Sequence, residues 1–242
     1  MKKILLASIL CLMNTSLLAS ECVVLLHGLA RTDRSMNKLE HALKDENYDV
    51  INFAYPSTKH DIATLAREHL PKALAQCQAN TIINFVTHSL GGIVLRKYLS
   101  ENNLEQLGSV VMLGPPNKGS QVVDKLKNVP GFRLINGPAG VELGTDKSSV
   151  PNSLAAVTYP VGVVAGSSSI NPMLSRMLPN PDDGKVSVEN TKVEGMTDHI
   201  VVPVSHPFLM RNEEVIQQVK IFLKTGKFFR DEVGLSAEKK EQ

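Results

Sequence analysis

Short apolar runs alternate with amphipathic stretches along most of this chain, and that rhythm restricts the fold more than any other feature. Residues 22–27 (CVVLLH) are almost unbroken apolar sequence ending at a glycine, as expected of a strand buried on both faces of a parallel sheet. Residues 35–46 are amphipathic and residues 48–54 strand-like. Residues 61–78 set Ile62, Leu65, Ala66, Leu70 and Leu74 at helical spacing, and residues 81–86 return to strand character. The series continues with a helix over 90–100, a strand over 109–113, a short helix over 121–127, strands near 157–165 and 199–204, and a last helix over 212–224. Parallel strands need crossovers and crossovers need helices, so the pattern predicts an α/β fold, a mainly parallel sheet with helices on both faces. In such sheets, sites gather at the carboxyl edge of the strands.

The ends and the charge narrow the setting. Residues 1–20, MKKILLASILCLMNTSLLAS, have two lysines, an apolar stretch and then small residues, the layout of a secretory signal peptide. The apolar stretch is too interrupted to anchor in a bilayer, so the mature chain is expected to be periplasmic or secreted. Residues 21–235 form one domain, with 114–156 and 168–182 as Gly/Pro/Ser-rich excursions over that carboxyl edge, and 236–242 a polar tail. Once Lys2 and Lys3 leave with the signal, positive and negative side chains balance, and no basic cluster suits a phosphate backbone. Nucleic acid is excluded as a partner. Cys11 leaves as well, and the remaining pair in an oxidising compartment predicts a Cys22–Cys77 disulfide.

THSLGG, residues 87–92, sits between a strand and a helix with Ser89 on the turn itself. A serine held there is strained, projects its hydroxyl from the sheet, and puts the following amide at a helix N-terminus. Thr87 stands where the first glycine of a G-x-S-x-G turn is usual. His88 reads as packing or polar support beside the nucleophile. Upstream, His27 and Gly28 end the first strand, and the glycine lets the Leu29 amide converge with that of Leu90 on one oxygen, an oxyanion hole. Arg31 follows as a candidate for an anionic part of a substrate. Together with Tyr55, the residues His27, Gly28, Arg31 and His88 make up the expected substrate-facing set.

An acid and a base should follow in that order. Asp182 and Asp183 stand in PDDGKV; Asp183 is favoured because Gly184 permits the turn, and Asp182 stays open. His199 opens the last strand and His206 closes it, so strand direction puts His206 at the catalytic edge and leaves His199 structural. Tyr55–Pro56 and segments 115–120 and 170–179 are expected to wall the site, with Met173, Leu174, Met177 and Leu178 receiving an acyl chain.

With these pieces in view, the chain resembles the α/β-hydrolase superfamily, specifically its small bacterial serine lipase and esterase branch with a PGAP1-like or triacylglycerol-lipase-like core. VVLLHGLAR, NFVTHSLGGIVLR, LGPPNKGSQ, DDGKVSV and VPVSHPFLM carry the likeness, in the expected order along nearly all of the mature chain. The resemblance implies a triad of Ser89, Asp183 and His206, with the amides of Leu29 and Leu90 as the oxyanion hole. The apolar runs imply a reduced sheet of about six strands. The function so implied is hydrolysis of carboxylic esters through an acyl-enzyme, with no cofactor and no metal. The substrate would be a small-molecule or lipid ester, reached in part by transient contact with a membrane surface. Acyl transfer, thioester or amide cleavage would use the same triad, and a catalytically silent exported binding or scaffold protein is the alternative of another class.

Overall fold

The computed structural model describes residues 21–230; the expectations placed on 1–20 and on 236–242 lie outside them. Six strands form one all-parallel sheet: β1 (Cys22–Leu26), β2 (Asp49–Phe53), β3 (Ile83–His88), β4 (Leu107–Leu113), β5 (Val161–Gly166) and β6 (Asp198–Val202). Their order across the sheet is β2-β1-β3-β4-β5-β6. The helices are α1 (Asn37–Lys44), α2 (Ile62–Leu74), α3 (Leu90–Glu101), α4 (Gln121–Leu126), α5 (Phe132–Val141), α6 (Val150–Ser153), α7 (Pro172–Ser175), α8 (Val188–Thr191) and α9 (Glu213–Thr225).

Two apolar layers sandwich the sheet, because alternate residues of each strand face opposite sides. Val23 and Leu25 of β1, Val86 of β3 and Val111 of β4 pack with Leu39, Leu43, Val215, Val219 and Phe222 of α1 and α9. Val24, Leu26, Phe85, Val110 and Met112 face Ile62, Leu65, Leu70, Ile93 and Val94 of α2 and α3. Helix boundaries follow local chemistry: Asp61 Oδ1 accepts the Thr64 amide at 2.7 Å and opens α2, Asn212 caps α9, and Gly226 ends α9 in the left-handed region.

The expected disulfide is present, joining Cys22 at the start of β1 to Cys77 just beyond α2, across a sequence separation of 55. A loop of that size, in the chain-entropy account, stabilises the folded state by about 4 kcal/mol. The Cys22→Ala/Cys77→Ala protein is therefore expected to show a correspondingly lower unfolding free energy in urea. A loss below about 1 kcal/mol would contradict that account.

The excursion over residues 114–156 holds more structure than its composition suggests. It carries α4, α5 and α6, of which only α4 is legible as a helix; Gly137 and Pro138 interrupt α5, and Gly137 departs from helical geometry at φ 68°. Arg96 of α3 pins this segment. Its buried guanidinium donates to the carbonyls of Asn117 (3.1 Å), Leu154 (3.2 Å) and Ala155 (3.2 Å), and no carboxylate among the described residues pairs with it. Asn117 in turn donates to the Thr191 carbonyl of α8 at 2.8 Å.

Candidate active site

Parallel register brings the strand ends to one edge: Leu26 pairs with Phe53 and with Thr87, His88 with Leu113, and Gly166 with Val202. At the tip of β3, Ser89 adopts φ 53° and ψ −120°, a region that disfavours side chains other than glycine's, and its amide donates to the Leu113 carbonyl at 2.9 Å. The turn is tight because α3 starts almost against β1. A Cβ on Gly91 would lie 2.6 Å from the Leu26 carbonyl oxygen, so only glycine fits. Thr87, where a glycine is usual, is fully buried beneath the turn with its hydroxyl unpartnered, and Gly92 leaves room for it.

Asp183 is 1% exposed and His206 8% exposed. Asp183 Oδ1 accepts the amides of Lys185 (2.9 Å) and Val186 (2.8 Å), and its Oδ2 accepts from His206 Nδ1 at 2.7 Å. The His206 amide also donates to the Asp183 carbonyl, at 3.0 Å. A carboxylate only accepts, so Nδ1 carries a proton, and in the neutral ring the lone pair is on Nε2. Gly184, at φ 91°, makes the turn that presents the acid. Asp182 instead braces the loop, its oxygens accepting the Gly184 amide (2.7 Å) and the Ser175 hydroxyl (2.6 Å).

Ser89 and His206 line one cavity of about 280 Å³. The Ser89 hydroxyl makes no hydrogen bond among the described residues, so the serine–histidine contact is not closed in this state; such contacts commonly tighten only with substrate. Leu90 opens α3, where its amide has no intrahelical acceptor, and Leu29 lines the cavity.

The expected substrate-facing set divides. Arg31 and His88 line the cavity. His27, Gly28 and Tyr55 do not: all three are buried behind it. The Tyr55 hydroxyl donates to the His27 carbonyl at 2.5 Å, and the two rings stack at 4.2 Å. The Tyr55 amide donates to His27 Nε2, which leaves Nδ1–H to donate to the Gly28 carbonyl at 2.9 Å. These residues fix the Gly28–Leu29 turn instead of touching a ligand. Gly28 itself is required by His88, whose Nδ1 would lie 2.7 Å from a Cβ there.

The expected acyl-chain wall is also corrected. Met173, Leu174, Met177 and Leu178 do not reach this cavity, and neither does Tyr55–Pro56. Its apolar wall comes from Val122, Val123, Phe132, Leu143 and Val186, most of them in the 114–156 segment. Phe132 and Asn136 stand one helical turn apart within GFRLINGPAG, which is the sequence signal for this wall; the glycines and proline obscure it. Lys185 and Arg31 give one side of the cavity positive charge.

His199 lies on β6 away from the edge, its Nε2–H donating to the Thr191 hydroxyl at 3.0 Å while that hydroxyl donates to the Val188 carbonyl at 2.6 Å. His88 Nε2–H donates to the His206 carbonyl at 3.0 Å. Burial holds His27 below the usual histidine value, His88 well below it, and His199 down at about 4 from 6.5. Folded values below unfolded ones mean that the unfolded chain takes up more protons as pH falls. The stabilisation from neutral rings is therefore complete above about 6.5 and is lost towards about 4. Thermal melting across that interval should show a falling midpoint, with a shallower fall for His199→Gln; a flat profile would contradict burial of these rings as neutral groups. Among the described residues, no group of three or more His, Cys, Asp or Glu is arranged to hold a metal ion, and no helix is long and apolar enough to cross a membrane.

No protein-family model matches this chain, and no curated protein matches it in sequence. Solved structures do match in shape. The mature lipase BlEst2 of Bacillus licheniformis superposes with a TM-score of 0.63 at 17% identity, covering 86% of this chain and 92% of that one. The esterase RhEst1 of Rhodococcus sp. ECU1013 gives 0.54 at 17%, covering 86% and 91%. The phospholipase PlaB of Legionella pneumophila gives 0.59 at 19%, covering 77% of this chain and 53% of that one. With the six parallel strands and their flanking helices, these likenesses establish the α/β-hydrolase fold.

Proposed function

We propose that the protein is an exported serine hydrolase that cleaves carboxylic esters through an acyl-enzyme, with Ser89 as nucleophile, His206 as base and Asp183 as its orienting acid. One observation carries this reading: a serine strained to φ 53° at the tip of β3 opens onto the same cavity as an imidazole whose Nδ1 is held by a buried carboxylate. In that reaction, His206 Nε2 takes the Ser89 proton while Oγ bonds to the ester carbon. The carbonyl oxygen, now negative, rests between the Leu29 and Leu90 amides at the positive end of α3. Collapse expels the alcohol, which receives the proton from Nε2. Water, activated by the same nitrogen, then releases the acid and frees Ser89.

The cavity favours an ester with a short to medium acyl chain, since about 280 Å³ falls just below ligand-site sizes of roughly 300–1,000 Å³. Leu134 and Ile135, on the outer side of α5, are 89% and 68% exposed, which suits transient contact with a lipid surface. Export agrees with the Cys22–Cys77 bridge, since such bonds persist in oxidising compartments. A fluorophosphonate probe tests the reading directly. Stoichiometric labelling, located on Ser89 by peptide mass, is expected; a well-folded protein that takes no label, or takes it elsewhere, would replace the hydrolase with a binding or scaffold role.

A further inference from the structure

A second cavity, of about 330 Å³, adjoins the first and shares Ala30 and Arg31 with it. Its wall is formed by the turn from Ala30 to Ser35 and by the turn that follows His206, and three arginines line it, Arg31, Arg34 and Arg211. None of the three donates a side-chain hydrogen bond or forms an ion pair among the described residues. No carboxylate among the described residues forms an ion pair with them. Glu213 is taken by Lys38 at 2.6 Å, and Lys38 also donates to the Arg211 carbonyl at 3.0 Å. Asp33, on the same turn, is felt electrostatically by His27 and makes no ion pair with any arginine among the described residues. The strip of chain between the cavities is held firmly: Ala30 sits at φ 53° with its amide donating to the Ser57 hydroxyl at 3.2 Å, and the Arg31 amide donates to the Gly28 carbonyl at 3.3 Å.

We propose that this triple-arginine cavity is a subsite for an anionic phosphate-bearing group on the substrate, so that the ester bond lies at Ser89 while the charged end lies among Arg31, Arg34 and Arg211. This rests on the hydrolase reading above and adds the substrate class to it. Three guanidinium groups without internal partners around one recess offer forked donors that match phosphate oxygens. Lys185, which lines the catalytic cavity together with Arg31, extends the positive field: Arg31 is close enough to depress its pKa, after the larger effect of burial. Two sources supply this chemistry, a phospholipid headgroup or the phosphopantetheine arm of an acyl thioester carrier.

The test uses the mature protein with its disulfide intact and two matched pairs of dodecanoyl substrates: dodecanoyl glycerol phosphate against dodecanoyl glycerol, and dodecanoyl phosphopantetheine against dodecanoyl pantetheine. Wild type is expected to favour the phosphate-bearing member of at least one pair by about tenfold in kcat/KM. Arg34→Gln/Arg211→Gln should bring that ratio close to one, and added salt should erode it in the wild type. The pair with the larger ratio identifies the source. Glycerol phosphate binding to Ser89→Ala, followed by calorimetry, should weaken about tenfold when the two arginines are replaced, and this readout needs no turnover. Equal kcat/KM within both pairs, or a phosphate preference that survives the double replacement, overturns the subsite. If the wild type turns over no ester or thioester, the hydrolase reading fails, and the calorimetry still decides whether the anion site exists.

Discussion

Ser89→Ala is expected to lower kcat for ester hydrolysis by a factor on the order of 10⁵ to 10⁶ while leaving the fold intact. The size follows from what is removed. On the proposed mechanism, without the hydroxyl there is no acyl-enzyme, and His206 is left with no proton to take; only the proposed oxyanion-hole amides and substrate binding remain, which retain about 10³-fold acceleration over water. Stability should be nearly unchanged, because the Ser89 side chain neither caps α3 nor makes any hydrogen bond among the described residues, and the strained backbone persists with alanine. A melting midpoint close to wild type together with lost turnover separates chemistry from folding. Activity within tenfold of wild type in the purified variant would remove Ser89 from the mechanism.

Much of the architecture is legible because period-two and period-3.6 patterns are written densely in the core. Most strands of the sheet carry an apolar run, and strand direction alone distinguishes His206, beyond the end of β6, from His199, on its second residue. Asp183 over Asp182 follows from the glycine next to it, and the structure gives the two carboxylates separate partners. Legibility fails where backbone interactions dominate. The α5 wall is interrupted by Gly137 and Pro138, where the chain passes close to the Thr58 carbonyl, and a periodicity count reads them as loop. His27 and Tyr55 look like ligand contacts because they lie next to the catalytic edge in sequence. Burial turns them inward, where they stack and fix the Gly28–Leu29 turn. The acyl-chain wall escapes a sequence reading for a related reason: Met173 and its neighbours are apolar but stand beyond the cavity, and hydrophobicity alone carries no address.

Asp183→Asn should reduce kcat by about 10⁴, and here the hydrogen bonds dictate the outcome. The amides of Lys185 and Val186 both donate to Oδ1, so an asparagine at this position must keep its carbonyl oxygen on that side. Its NH₂ is then forced toward His206, where the carboxylate oxygen accepted from Nδ1. An amide donor facing Nδ1 selects the tautomer protonated on Nε2, which has no lone pair with which to take the Ser89 proton. Packing is preserved because the two side chains have nearly the same shape, so the loss appears in kcat with KM little changed. Asp182→Asn provides the contrast: its oxygens hold the Gly184 amide and the Ser175 hydroxyl, neither of which touches the imidazole, and its kcat should stay within about tenfold of wild type. Steady-state kinetics on the two variants side by side decide the matter. Should Asp182→Asn be the crippled enzyme and Asp183→Asn the active one, the carboxylate bound to Nδ1 would be an anchor for the His206 loop, and the orienting acid would have to be sought elsewhere.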